Sequence, residues 1–115
     1  MRHKLGLKKL GRPSDQRMAM LYHEAGALIK HGKIKLTLSR GKAVKSIAEK
    51  LISLAKSGNI NSRRRALAKL KDRDIVKALF DLAPRFEGRP GGFTRLVRIG
   101  FRRGDAAPLA LLEFV

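Results

Sequence analysis

The stretch FTRLVRIGFRRGDAAPLALLEFV, residues 93–115, distinguishes this chain from a purely helical protein. Residues 93–99 have the β-branched and aromatic content of a strand, and residues 109–115 form a second apolar strand. Residues 100–108 between them are rich in turn-forming side chains, so the two strands are predicted to form an antiparallel pair. Apolar and polar side chains alternate over residues 34–38, which makes this segment the candidate third strand.

Four amphipathic helices are predicted in the rest of the chain, because apolar residues recur there at steps of three and four. The predicted N-cap residues, from the first helix to the fourth, are Ser14 or Asp15, Ser39, Asn61 or Ser62, and Asp72 or Asp74. Gly41 in the second helix is expected to weaken it by about 1 kcal/mol relative to Ala. The predicted fold class is α+β: four helices packed against a small mixed or antiparallel three-stranded sheet, with a basic N-terminal arm.

The charge of the chain is strongly one-sided. Its 115 residues include 27 Lys and Arg against 9 Asp and Glu, which gives a formal net charge of +18. Because self-repulsion of this size opposes compaction, a polyanionic partner is the natural inference, and nucleic acid is the first candidate. Residues 1–12 contain no acid and are predicted to form a basic arm, ahead of a single α+β RNA-binding domain over residues 13–115.

The composition excludes several classes of site. The chain has no Cys, so a disulfide scaffold, a thiolate zinc site and a cysteine nucleophile are ruled out. No apolar run approaches the roughly 20 residues of a membrane span, so no membrane partner is predicted. The three His and nine acids are scattered along the sequence. We therefore predict no metal, no cofactor, no catalytic residue and no small-molecule substrate.

The composition fits shape and backbone recognition of a folded RNA better than base stacking, because aromatic residues make up only 5% of the chain. Tyr22 and most of the five Phe lie at core positions of the predicted pattern, where packing is their expected role. Two alternatives stay open. A nucleoid-type DNA-binding protein would share the charge. A small RNA-processing enzyme would need a carboxylate pair, for which Asp72 and Asp74 are the only close acids, and helix capping explains these two more simply.

Two C-terminal motifs and the first residues resemble a known family. Residues 89–96, RPGGFTRL, are similar to the family run R-x-G-G-[YF]-T-R-[IL]. Residues 103–113, RGDAAPLALLE, are similar to R-G-D-x-A-P-M-A-x-I-E, and residues 1–3 match the family as well. Over essentially its whole length the chain resembles the family of bacterial-type large-subunit ribosomal protein seventeen.

The resemblance implies a structural protein of the large ribosomal subunit without catalytic activity. It implies binding to large-subunit ribosomal RNA near the nascent-chain exit, beside neighbouring large-subunit ribosomal proteins, in support of subunit assembly and translation. The expected location is the ribosome of a bacterial cytoplasm. An organellar ribosome stays open, because residues 13–17 are similar to the versions in cyanobacteria and plastids.

The predicted RNA contacts come partly from the resemblance and partly from charge. The resemblance implies contacts by Arg2, His3, Thr94, Arg95 and Arg103. Position and charge add a second set, which is Lys4, Lys8, Lys9, Arg12, Lys35, Thr37, Lys42, Arg63, Arg64 and Arg102. Arginine suits this role because its planar guanidinium donates two parallel hydrogen bonds to a phosphate.

Overall fold

The computed structural model describes residues 14–115. Their helices are α1 (Ser14–His31), α2 (Leu38–Ser57), α3 (Ile60–Leu70) and α4 (Arg73–Leu82), the last continued by a 3₁₀ turn (Ala83–Phe86). Their strands are β1 (Lys33–Thr37), β2 (Thr94–Phe101) and β3 (Pro108–Phe114). The predicted α+β class is confirmed for this part of the chain, whereas the predicted arm, residues 1–12, lies outside the described residues.

The sheet is antiparallel with the strand order β1-β3-β2, so the last strand in sequence is the central one. Leu112 in the middle of β3 pairs with Ile34 on one side and with Leu96 on the other. The register between β2 and β3 shifts between Arg98 and Gly100, which indicates a β-bulge. The predicted third strand is confirmed, one residue earlier than expected, as an edge strand.

The core is organised around α2, which packs against all three strands and against the other three helices. Successive residues of a strand point to opposite faces of its sheet. In β3, accordingly, Ala110, Leu112 and Phe114 are buried against the helices, and the residues between them are only half-buried. Leu21 of α1 and Ile52 of α2 are fully buried in the same core.

Two helices begin at residues other than those predicted. Thr37, not Ser39, precedes α2, and its side chain makes no capping hydrogen bond. Asn59 caps α3 by accepting the Ser62 N–H at 2.8 Å, so the predicted caps Asn61 and Ser62 lie inside the helix. Several small polar residues follow one another at this point, and the cap is the one whose side-chain oxygen reaches the N–H three residues on.

The start of α4 agrees with the prediction, because Asp72 accepts the N–H groups of Asp74 and Ile75 at 2.9 and 3.3 Å. The first helix already includes Ser14 and Asp15, so the predicted caps lie in its first turn. Capping is therefore the observed role of Asp72.

Gly41 has a packing role that its sequence position does not reveal. It is buried, and a Cβ added there would lie 2.8 Å from Cδ1 of Leu96 on β2. Real Cβ atoms are essentially never found so close to another atom, so Leu96 would have to move. The close approach of α2 to the sheet thus offsets the low helix propensity of glycine, which costs about 1 kcal/mol relative to Ala.

Candidate nucleic-acid interface

The acidic side chains are largely engaged within the fold. Ion pairs join Glu24 to Arg40, Glu49 to Lys45, Glu113 to Arg95 and Asp105 to Arg102. A fifth acid, Asp72, caps α4. The other Lys and Arg side chains of residues 14–115 have no Asp or Glu carboxylate within ion-pair distance, 4.0 Å. The surplus of positive charge therefore lies at the surface, available to a polyanion.

The first basic surface, which we term the β1 depression, is a cavity of about 500 Å³ lined by residues of α1, β1, α2 and the turn between β2 and β3. Three predicted contact residues meet in its lining: Lys35 and Thr37 of β1, and Arg102 of the turn. Arg40 of α2 joins them and pairs with Glu24 in the same lining. The fold thus brings together polar groups that lie far apart in sequence.

Arg102 is held in place by the acid of its own turn. Its Nε and Nη2 donate to the Asp105 carboxylate at 3.1 and 2.5 Å, and this carboxylate also accepts the Ala107 N–H at 3.2 Å. The hydrogen bonds from Arg102 lower the pKa of Asp105 to about 2, and the pKa of Arg102 is raised in turn. Within the turn-rich segment predicted over residues 100–108, the turn is observed at residues 103–105, and Arg103 in it is exposed.

The second basic surface, the α3–α4 groove, has a volume of about 230 Å³. Its cations are Arg63, Arg64, Arg73 and Lys77, and its apolar lining is Leu67 and Val76. Arg63 and Arg64 were predicted contacts, whereas Arg73 and Lys77, which the fold places beside them, were not. Their spacing of four residues on one helix is the signal that could have identified them, because such residues share a face.

Two predicted residues of β2 have partners within the protein. Thr94 is buried, and both its N–H and its hydroxyl donate to Oε1 of Glu49, at 3.1 and 2.8 Å. Arg95 is exposed and donates to Glu113 through Nε and Nη2 at 3.0 and 2.5 Å. Lys42 is exposed on α2 and lines neither basic surface. RNA contact by these three residues stays a prediction.

Glu49 anchors the start of β2 to α2. In addition to the two hydrogen bonds from Thr94, its Oε2 accepts a hydrogen bond from the Gly92 N–H at 3.1 Å. Its Oε1 forms an ion pair with Nζ of Lys45 at 3.2 Å. Burial raises the pKa of Glu49, but the hydrogen bonds from Thr94 and Lys45 outweigh burial, so the pKa lies below its ordinary value. The sequence contains no local signal for this contact, because 43 residues separate Glu49 from Gly92.

Most phenylalanines belong to the core, as predicted. Phe80, Phe86, Phe93 and Phe114 are buried, whereas Phe101 on β2 is 73% exposed. Cations cover three of the buried rings: Arg63 lies 4.6 Å from the Phe80 centroid, Lys56 5.1 Å from Phe93 and Arg85 5.5 Å from Phe86. Such contacts are favourable for cations at a protein surface. Within residues 14–115, the aromatic rings therefore serve mainly as core residues and as supports for cations.

Residues 14–115 contain no group of three or more His, Asp or Glu side chains that could hold a metal ion. None of the helices described is long and apolar enough to cross a membrane.

The chain is similar to known proteins over most of its length. The family model described as Ribosomal protein L17 matches residues 20–115. This range includes most of α1 and all of the other helices and strands described above. This chain belongs to the ribosomal protein L17 family. As a member, it is a structural constituent of the large ribosomal subunit. The proteins of this family are components of the ribosome and not enzymes.

Curated relatives agree over nearly the whole chain. The large ribosomal subunit protein bL17 of Thermoanaerobacter sp. (strain X514) is 50% identical over 112 residues, covering 96% of this chain and 100% of the relative. The bL17 protein of Azorhizobium caulinodans is 48% identical, covering 100% of this chain and 84% of the relative. That of Clostridium tetani is 49% identical, covering 96% of this chain and 98% of the relative.

Proposed function

We propose that the chain binds large-subunit ribosomal RNA through its Lys and Arg side chains, close to the nascent-chain exit, and thereby supports subunit assembly and translation. The observation that carries the proposal is the concentration of cations in the β1 depression and the α3–α4 groove. The position near the exit rests on the resemblance described above. We further propose that neighbouring ribosomal proteins adjoin the chain and that its ribosome is that of a bacterial cytoplasm.

The proposed mechanism is electrostatic. Each phosphate neutralised by Lys or Arg releases counterions, so the affinity depends steeply on salt concentration. Contacts with about six phosphates would lower the affinity by around three decades between 50 and 200 mM salt. The cations of the predicted arm, residues 1–12, would add to this number. Phosphate contacts of this kind position the protein on RNA without reading its sequence.

The test is binding of the full chain to large-subunit ribosomal RNA, small-subunit ribosomal RNA and duplex DNA over a salt series. The proposal expects a steep salt dependence and the tightest binding to large-subunit RNA. Tightest binding to duplex DNA would instead favour a DNA-binding protein. Equal binding of all three would contradict the proposed preference and would show that charge alone governs binding by the isolated chain.

A double variant in the α3–α4 groove tests which cations take part. Replacing Arg64 and Lys77 with Gln should reduce the slope of log affinity against log salt by about 1.4 to 1.8, because each phosphate contact contributes about 0.7 to 0.9. The matched control replaces Arg98 and Lys30, one Arg and one Lys that line neither basic surface. An equal loss of slope in both variants would contradict a role specific to the groove.

A further inference from the structure

A third cavity, the three-helix pocket, lies where α1, α2 and α3 meet and has a volume of about 390 Å³. Its floor is apolar, since Ile47 and Leu51 of α2 are buried in the core. Its walls are the half-buried side chains of Met18 and Tyr22 of α1 and of Leu54 of α2. The pocket thus offers an aromatic ring and an apolar surface that the core leaves partly uncovered.

The rim of this pocket is cationic. Lys50 of α2 and Arg65 and Lys69 of α3 are exposed and line it, and no acid belongs to its lining. Arg65 and Lys69 lie one helical turn apart, so both point to the same side of α3. Within residues 14–115, none of the three cations has an ion pair or a side-chain hydrogen bond.

We propose that the three-helix pocket binds one unpaired nucleotide of an RNA strand, with the base against Tyr22 and the phosphate at the cations of the rim. This inference rests on the proposed function and names a second mode of contact beside phosphate binding. A nucleotide combines a flat apolar face with an adjacent negative charge, and the pocket presents the complementary pair of surfaces. Every base has such a face, so this contact is tolerant of sequence.

The other two basic surfaces lack this combination. The α3–α4 groove and the β1 depression have no aromatic residue in their linings, and the β1 depression includes Glu24. Phe80, in a further cavity beside α4, is covered by Arg63. Those surfaces suit the sugar–phosphate backbone, whereas the three-helix pocket suits a base together with its phosphate.

Tyr22 carries a spectroscopic probe into the wall of the pocket, because it is the only tyrosine of the chain. It also lines a cavity on the other side of α1, so the variants below, which alter only the three-helix pocket, assign the response. The full chain labelled with 3-fluorotyrosine has one ¹⁹F resonance. It is titrated with a single-stranded hexa-adenylate RNA and, separately, with an abasic oligoribonucleotide of the same length. The proposal expects the RNA to shift the resonance at saturation and the abasic strand to leave it in place. Equal shifts with both probes, or no shift with either at saturation, would overturn the proposal.

A matched pair of variants tests the pocket without labelling. Leu54→Glu places a negative charge in the wall of the pocket, whereas Ser53→Glu places the same charge on the same helix outside the lining. Leu54→Glu should weaken hexa-adenylate binding about tenfold relative to Ser53→Glu, the equivalent of about 1.4 kcal/mol. The difference between the two variants should be smaller for the abasic strand, which has the phosphate but lacks the base. Equal hexa-adenylate affinities of the two variants, each shown to be folded by circular dichroism, would refute the pocket.

The two proposals can fail separately. A shift of the Tyr22 resonance by hexa-adenylate supports the pocket even if the chain does not prefer large-subunit ribosomal RNA. A clear preference for that RNA, without any response of Tyr22 to a saturating base-containing strand, leaves the proposed function standing and overturns the pocket.

Discussion

Replacing Glu49 with Gln should destabilise the chain, because Glu49 holds the start of β2 against α2. Its carboxylate accepts hydrogen bonds from Gly92 and from two groups of Thr94, and it pairs with Lys45. The Gln carbonyl oxygen can still accept from Thr94. The Gln amide group, however, would then meet the Gly92 N–H, donor against donor, and the charge that faces Lys45 would be lost.

The expected loss follows from these contacts. A hydrogen bond to a charged group contributes about 1.5–3 kcal/mol. The Glu49 side chain is 22% exposed and Gly92 is at the surface, so water replaces part of the loss and the lower end of this range applies. We expect Glu49→Gln to lower the free energy of unfolding by about 1.5 kcal/mol. For a domain of this size the loss corresponds to a fall in Tm of about 6–10 °C.

The assay is urea unfolding followed by circular dichroism at pH 7 and constant salt. The control is Glu87→Gln, which removes the same charge from an exposed position and should change the stability by less than about 0.5 kcal/mol. An equal effect of the two variants would show that the contacts of Glu49 do not stabilise the fold and that only net charge matters.

The pH dependence of the free energy of unfolding is an independent test of the contacts that Glu49 makes. Because the pKa of Glu49 is lowered in the folded state, the unfolded state binds its proton first as the pH falls. Its contribution is therefore fully present above the unfolded pKa and is lost as the pH falls through the folded pKa, in the acid range below about 4.5. Glu49→Gln should flatten this part of the stability profile, measured as Tm against pH. An unchanged profile would contradict the assigned pKa direction.

Substitutions at three further sites, Gly41, the start of α4 and Ala106, test the fold by urea unfolding. Gly41→Val should lower the free energy of unfolding by about 1–3 kcal/mol, because the valine side chain would overlap Leu96. Gly41→Ala should leave the free energy of unfolding nearly unchanged, because the shift needed in Leu96 offsets the gain in helix propensity. Asp72→Ala should cost about 1 kcal/mol through loss of the cap, and an equal cost of Asp74→Ala would contradict the assignment. Ala106→Gly should add about 0.5–1 kcal/mol, because Ala106 has a φ of 55°, and a loss would show that this conformation is not strained.

The elements of the fold could be predicted from local patterns, but their junctions could not. Apolar spacing identifies the helices because each must bury one face, and alternation identifies β1 for the same reason. The cap of α3 differs from the prediction because neighbouring Asn and Ser residues compete for the same role, whereas α2 begins after Thr37 without a side-chain cap. The central place of β3 and the close approach at Gly41 depend on contacts between distant segments, which no local pattern encodes.

The candidate site shows the same limit. Charge identifies the residue types that contact a polyanion, yet the gathering of Lys35, Thr37 and Arg102 in one depression depends on the strand order. Thr94 was chosen from a motif, and the structure shows that its polar groups are bonded to Glu49. The cations of the three-helix pocket were not among the predicted contacts, although the spacing of Arg65 and Lys69 was a readable signal.

The cations that cover phenylalanine rings have a consequence for how this chain can be altered. A neutral residue at position 63 would remove a charge from the α3–α4 groove and, at the same time, uncover the Phe80 ring. Such a change would therefore act on two features at once, the charge of the groove and the packing over the Phe80 ring. Drift at this position should therefore be slower than at Lys30, whose side chain covers no ring among residues 14–115. A redesign that lowers the charge for easier handling should begin at Lys30 and leave Arg63 and Lys56 in place.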